Sequence, residues 1–291
     1  MDRSSRTAQF SALARASLTR DEPPFDFVDT MAHRLLTPLF SVMLSLRALT
    51  RPLMQRQMPG TYTFFLARGR FFEAALQEAL AEGATQVVLL GAGFDTRAYR
   101  IAYAPGVRVF EVDAPPTSAL KQDRVRSALG ALPAHVTYVP VDFLTDSIDR
   151  ALPAAGYEPS RRTFFLWEGV TFYLSEAAVT GVLDFVRTRS APGSTIAFDH
   201  LYDDVPSGTS PRFGAREGAA FVRKQGEPFT WGLPEGGERE FLLRHGLECD
   251  RCLNPADMER MLEGTHGTPL KERVAGIYGL LRARVPLRSA E

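Results

Sequence analysis

The stretch QVVLLGAGFDTRAYRIAYAPGVRVFEVD, running from Gln86 to Asp113, decides the fold. Gln86 to Leu90 is a short run rich in Val and Leu, and it reads as a strand buried on both faces, the habit of parallel sheets. It ends in Gly91-Ala92-Gly93, where missing Cβ atoms let the backbone turn sharply and approach a ligand. A second run, Val107 to Val112, carries Glu111 and is followed by Asp113. Asp113 lies about 20 residues past Gly93, the spacing at which a nucleotide-binding fold sets an acid on ribose hydroxyls. Strand, turn and acid together place an adenosine-like ribose over the carboxyl edge of a sheet.

The same stretch argues against a dinucleotide. A pyrophosphate fingerprint wants a third glycine where helix packs on strand, and Thr96 stands there. Asp95 adds a negative charge at the helix start, where a pyrophosphate would be repelled. A cofactor with a cationic amino group and no phosphates fits, and S-adenosylmethionine is such a molecule. Gly91, Gly93, Asp95 and Asp113 are therefore the expected cofactor-binding residues of this stretch. A nicotinamide oxidoreductase is disfavoured by Thr96 and Asp95.

LLGAGFDTRAYR followed by FEVDAPPTSALKQDRV resembles the leucine carboxyl methyltransferase family, including its bacterial branch of natural-product O-methyltransferases. SRTAQFSALARAS, LARGRFFEAAL, FFLWEGVTFYLSE, PGSTIAFDH and PFTWGLPEGGEREFLLRHGLE extend the resemblance, in order, over roughly residues 4–282. It implies an α/β class I methyltransferase, with a Rossmann-like sheet of seven strands whose last is antiparallel. It also implies roles. An arginine before the first strand reaches the carboxylate of the cofactor's methionine end, and Arg68 is the better match of Arg68 and Arg70; on spacing alone it is an exposed helix arginine. Asp142-Phe143 stands where the family holds adenine, with Phe143 in place of the usual Leu; on spacing alone Asp142 is a helix N-cap.

Glu168 follows the fourth apolar run, Arg162 to Trp167, at the sheet edge where such folds hold ligands. An acid there neutralises the methionine ammonium or holds the cofactor-facing loop. Trp167 and Tyr173 are expected to line the methyl-transfer pocket. Methyl transfer itself needs no protein nucleophile; it needs sulfur, carbon and acceptor oxygen held in line, with water kept out. A carboxylate acceptor arrives ionised, whereas a phenol or enol must lose a proton, for which histidine is the usual base. His200, read as lying just past the strand Ser194–Asp199, is the candidate base, and Tyr173 its companion in the catalytic set.

Organisation follows from the pattern along the chain. Residues 1–62 carry helical but no alternating patterning and read as an N-terminal helical cap, with a helix over residues 4–19 broken at Thr19 to Pro24. Asp29 is a helix N-cap, Leu35–Leu49 an apolar helical piece, and the chain near Pro52 a loop. Residues 63–291 read as the methyltransferase core, with a polar, glycine-rich, lid-like insertion after strand five at 201–230.

The 291 residues have formal net charge +0, so no field draws nucleic acid or an anionic membrane. No apolar run is long enough to span a bilayer. Cys249 and Cys252, in the alternating LECDRCL, are expected as free structural thiols on opposite faces of a strand, in a cytoplasmic protein without a metal site. The expected function is O-methyl transfer to a carboxyl or hydroxyl group of a small, fairly apolar, polyketide-like metabolite. The alternative is a scaffold or cyclase that keeps S-adenosylmethionine without transferring its methyl. The expected partner is a small-molecule acceptor; a homo-oligomer is left open.

Overall fold

The computed structural model describes residues 3–20, 28–143, 146–266, 270 and 272–287. Among the described residues five helices precede the sheet: α1 (Arg3–Arg20), α2 (Ala32–Leu35), α3 (Pro38–Ser45), α4 (Arg47–Gln57) and α5 (Thr61–Ala81). β1 (Gln86–Leu90) is followed by α6 (Arg97–Arg100), β2 (Arg108–Asp113), α7 (Pro115–Leu129) and β3 (Val136–Pro140). Then come α8 (Ile148–Ala154), β4 (Thr163–Trp167), α9 (Glu176–Thr188), β5 (Thr195–Leu201), α10 (Ala215–Gln225) and α11 (Glu238–Arg244). β6 (Glu248–Leu253), α12 (Pro255–His266) and β7 (Tyr278–Arg284) complete the described chain.

The sheet order is β3-β2-β1-β4-β5-β7-β6. β1 to β5 pair in parallel, and β7 runs antiparallel between β5 and β6. β1, β4 and β5 are buried along their whole length, which is why they read as continuous apolar runs. Their side chains alternate between two cores. Val87 and Leu89 join Phe64, Phe71 and Phe72 of α5 on one face. Val88 and Leu90 join Val179, Leu183 and Val186 of α9 on the other. Ser175 caps α9 by accepting the Ala178 amide at 3.2 Å. Arg282, 2% exposed in β7, ties α5 to the β6 edge through Glu78, Glu82 and Asp250.

The N-terminal helices form a third core of their own: Ala12, Leu13 and Ala16 of α1 pack with Leu35, Phe40 and Leu44 and with Val125 of α7. The apolar piece at 35–49 is divided among three helices, and Pro52, expected in a loop, lies inside α4. Asp29 does cap: its Oδ1 accepts the amides of Met31 at 3.1 Å and Ala32 at 2.8 Å. Of the break expected at Thr19 to Pro24, Thr19 and Arg20 instead continue α1, and residues 21–24 lie outside the described residues.

Two expectations are corrected here. β5 runs two residues further than expected, to Leu201, so His200 is a strand residue paired with Gly279 rather than a loop residue. The register of β6 slips between Cys249 and Arg251, and this bulge turns both cysteines toward the same core, where their sulfurs are paired. The cysteines are thus neither free nor on opposite faces, and the cytoplasmic setting loses the support it drew from free thiols.

Candidate active site

The chain leaves β1 for β2 on one side and comes back to β4 on the other. The loops at the carboxyl ends of β1 and β4 therefore diverge, and a crevice opens between them. Gly91 and Gly93 sit at its floor with φ of 63° and 43°, in the left-handed region open to glycine. A Cβ at Gly91 would collide with Val170, and one at Gly93 would stand 3.1 Å from Ala8 of α1. The Gly93 amide donates to an Asp113 carboxylate oxygen, and the Ala114 amide donates to the other at 2.7 Å. The glycine turn and the acid ending β2 are thus in direct contact.

Beside the turn lies a buried network of charge. Arg68 of α5 donates to Asp199 Oδ2 at 2.9 Å and pairs with Glu168 Oε1 at 3.1 Å. Asp199 Oδ1 accepts the Gly169 amide at 2.7 Å, which fixes the loop after β4. Arg97 reaches Glu168 Oε2 at 2.7 Å and also pairs with Asp95, whose Oδ1 accepts the Arg97 amide at 2.7 Å. Arg15 of α1 donates to Asp29 at 3.1 Å and to the Phe94 carbonyl at 2.6 Å, and stands 4.0 Å from Glu168.

Burial alone would raise the Asp95 and Glu168 carboxyls, but neighbouring guanidiniums, Arg97 foremost, hold both below the usual range. Asp199 goes the other way: its burial outweighs Arg68 and lifts its carboxyl. Burial also pushes Glu111, under the turn, up to about 7, against the pull of Lys121 at 2.8 Å.

A cavity of about 420 Å³ fills the crevice, within the range of roughly 300–1,000 Å³ usual for small-ligand sites. Its wall includes Gly91, Gly93, Asp95, Asp113, Asp142 and Phe143, and also Arg68, Glu168 and Tyr173. The structure thus brings together every residue expected to bind the cofactor, with Tyr173 beside them. Tyr173 follows β4 in a single 3₁₀ turn, Thr171–Tyr173. Burial holds its phenol well above its ordinary value, with Tyr278 and Glu227 adding to the rise, so it stays protonated at neutral pH and cannot serve as a base.

A second, apolar cavity of about 100 Å³ adjoins the first under α1 and α4, with Phe10, Met54, Phe65, Phe172 and Phe221 in its wall.

His200 is not brought to either cavity. Its neighbour Asp199 points to Arg68 and the Gly169 amide, so strand alternation turns the imidazole to the opposite face. There it is fully buried, with Nδ1 against the Leu201 carbonyl at 2.9 Å and the ring closely over Gly279. The expectation of a base at His200 is corrected on this geometry. Trp167 likewise points into the core behind the sheet and lines neither cavity. Arg97 is fully buried and braces the loop from behind.

Sequence reasoning missed Arg15, Asp199 and Glu227. Asp199 carried a readable signal, an acid near the carboxyl end of a buried strand. Arg15 and Glu227 carried none, because only tertiary folding brings α1 and the segment after α10 to the crevice. Among the described residues no group of His, Cys, Asp and Glu is arranged to hold a metal ion, and no helix is long and apolar enough to cross a membrane.

Seven strands in this order, with the last antiparallel and acids at the edge, define a class I methyltransferase fold. The profile of the leucine carboxyl methyltransferase family matches residues 8–187, and the chain belongs to that family. It is 42% identical over 135 residues to a protein of Mycolicibacterium gilvum provisionally named an S-adenosyl-L-methionine-dependent methyltransferase, covering 46% of this chain and 43% of that one. A similarly named protein of Mycobacterium avium is 35% identical over 186 residues, 62% of this chain and 59% of the other. The chain thus spans about half the length of these relatives.

A crystal structure of a DUF574 family protein from Streptomyces avermitilis superposes with a TM-score of 0.60 at 18% identity, over 95% of this chain and 97% of that one. A Thermobifida fusca protein, provisionally titled a methyltransferase, superposes at 0.56 and 18% identity, over 97% and 98%.

The residues present fit the family's cofactor. The described wall of the larger cavity carries five carboxylates, Asp95, Asp113, Asp142, Glu168 and Glu227, against two guanidiniums, Arg15 and Arg68. Such a wall suits a cation without phosphates. The buried Nε of Arg68, a residue of this wall, has no hydrogen-bond partner among the described residues.

Proposed function

We propose that this chain is an O-methyltransferase acting on a carboxyl or hydroxyl group of a small, apolar, polyketide-like metabolite. Its cofactor is S-adenosylmethionine. The observation that carries the reading is the pairing of an acid-lined crevice with an apolar cavity that shares part of its wall. When bound, the cofactor supplies an electrophilic methyl whose bonding pair is left on sulfur.

The residues then divide the work. Asp113 takes the ribose hydroxyls, and Asp142 with Phe143 takes the adenine. Arg68 offers its guanidinium to the carboxylate of the methionine end, a planar fork suited to that group. Glu168 faces the ammonium. Tyr173 walls the junction of the two cavities and donates from its protonated phenol. α1, laid over the glycine turn, keeps water from the reacting atoms. Natural-product biosynthesis in the cytoplasm is the setting that goes with this reading.

Calorimetry with S-adenosylhomocysteine tests it. Saturable binding is expected, and its absence would overturn the proposal. Asp113→Ala removes charge-assisted hydrogen bonds worth roughly 1.5–3 kcal/mol, so affinity should fall on the order of ten- to a hundredfold; unchanged affinity rejects the ribose role. A product one CH₂ unit heavier than its precursor supports transfer. An isomer of unchanged mass favours the scaffold or cyclase instead.

A further inference from the structure

Thr7, Ser11, Arg68, Gly169, Tyr173 and Glu227 line both cavities and so border the place where cofactor and acceptor meet. Few of these groups take a proton. Arg68 is donor-only and engaged by Glu168 and Asp199. Tyr173 keeps its own proton. The hydroxyl of Thr7 donates to Glu227. Among the described residues of the apolar cavity there is no histidine, and Glu227 is the one carboxylate.

Glu227 also differs from the acids of the buried charge network. Asp95, Glu168 and Asp199 are each tied to a guanidinium, whereas the group bonded to Glu227 is the neutral Thr7 hydroxyl. Its backbone is held from both sides. The Glu227 amide closes α10 on the Val222 carbonyl at 3.1 Å, and three residues on, the Thr230 amide and hydroxyl bond the carbonyls of Phe172 at 2.8 Å and Leu174 at 2.9 Å. The segment after α10 is thereby pinned to the turn that carries Tyr173, with Glu227 at the junction.

We infer that the methyl acceptor presents a hydroxyl of a phenol or enol, and that Glu227 receives its proton; this rests on the methyl-transfer reading above. The O–H bond breaks, the proton passes to a Glu227 carboxylate oxygen, and the electron pair stays on the acceptor oxygen to form the bond to the methyl carbon. At the junction of the two cavities a carboxylate acceptor would stand beside the like charge of Glu227, where water screens little. A hydroxyl meets a proton acceptor within reach of the reacting centre. Arg47 and Arg51 stand in the wall of the apolar cavity and each already has a partner, Arg51 lying 4.2 Å over the Tyr62 ring, whereas Glu227 is the acid that borders both cavities.

The test uses two probes of one shape, 1-naphthol and 1-naphthoate, titrated calorimetrically into the full chain saturated with S-adenosylhomocysteine. The wild type should bind the naphthol at least about tenfold more tightly, and Glu227→Gln should close most of that gap by admitting the naphthoate. Equal or tighter naphthoate binding by the wild type overturns the inference, as does a ratio unmoved in Glu227→Gln. If S-adenosylhomocysteine binds and the probes are not discriminated, the Glu227 role alone falls. If S-adenosylhomocysteine does not bind, the methyl-transfer reading falls and takes the inference with it.

Discussion

Asp199 and His200 are neighbours in sequence and stand on opposite faces of β5, and that one alternation separates a site residue from a structural one. His200 is fully buried, and burial pushes its imidazole down to about 4 from an ordinary 6.5. The unfolded chain therefore binds a proton between pH 6.5 and about 4 that the folded chain refuses. The stability His200 allows is present above pH 6.5 and is lost as pH falls through that window, by roughly 3 kcal/mol in all. Replacing it with Asn should flatten the fall of Tm between pH 6.5 and 4.5, without changing affinity for S-adenosylhomocysteine at neutral pH. An unchanged Tm profile would refute the burial argument.

At the scale of elements, α1 matters more than a cap that only covers. It lays Ala8 over Gly93, sets Thr7 against Glu227, and sends Arg15 between Asp29 and the Phe94 carbonyl. Arg15→Ala would take from Asp29, 1% exposed, its hydrogen-bonded guanidinium and leave it Arg100 at the longer distance of 3.8 Å. Breaking a buried pair costs roughly 3–5 kcal/mol, so Tm should drop on the order of ten degrees. Affinity for S-adenosylhomocysteine should fall with it. Arg6→Ala, on the exposed side of α1, is the control and should change neither. Thermal melts and calorimetry on both variants decide the matter; equal melts would show that α1 is not anchored through Arg15.

Over the whole molecule, the larger cavity draws its wall from residue 7 to residue 230. Anything bound there ties the N-terminal helices, the loops at the sheet edge and the segment after α10 into one unit. S-adenosylhomocysteine at about a hundred times its Kd should therefore add roughly 2.7 kcal/mol of stability. It should also slow amide exchange in three places at once: residues 7–15, 91–95 and 226–230. Protection confined to residues 91–113 would show that α1 and the insertion stand apart from the site.

Much of this was legible in the chain itself. Apolar runs bounded by glycine and acid are local features, and a parallel strand buried on both faces leaves the same mark wherever it lies. Hence β1 is legible at its bounds, and Gly91, Gly93 and Asp113 belong together on spacing alone. Strand ends and bulges are set by pairing with neighbours distant in sequence: β7 drew β5 out to Leu201 and turned His200 away, and the slip in β6 brought Cys249 and Cys252 to one face. The charge balance of the crevice and the place of Glu227 belong to the tertiary structure alone. They arise because segments some two hundred residues apart close on one cavity, and no local pattern records who will meet there.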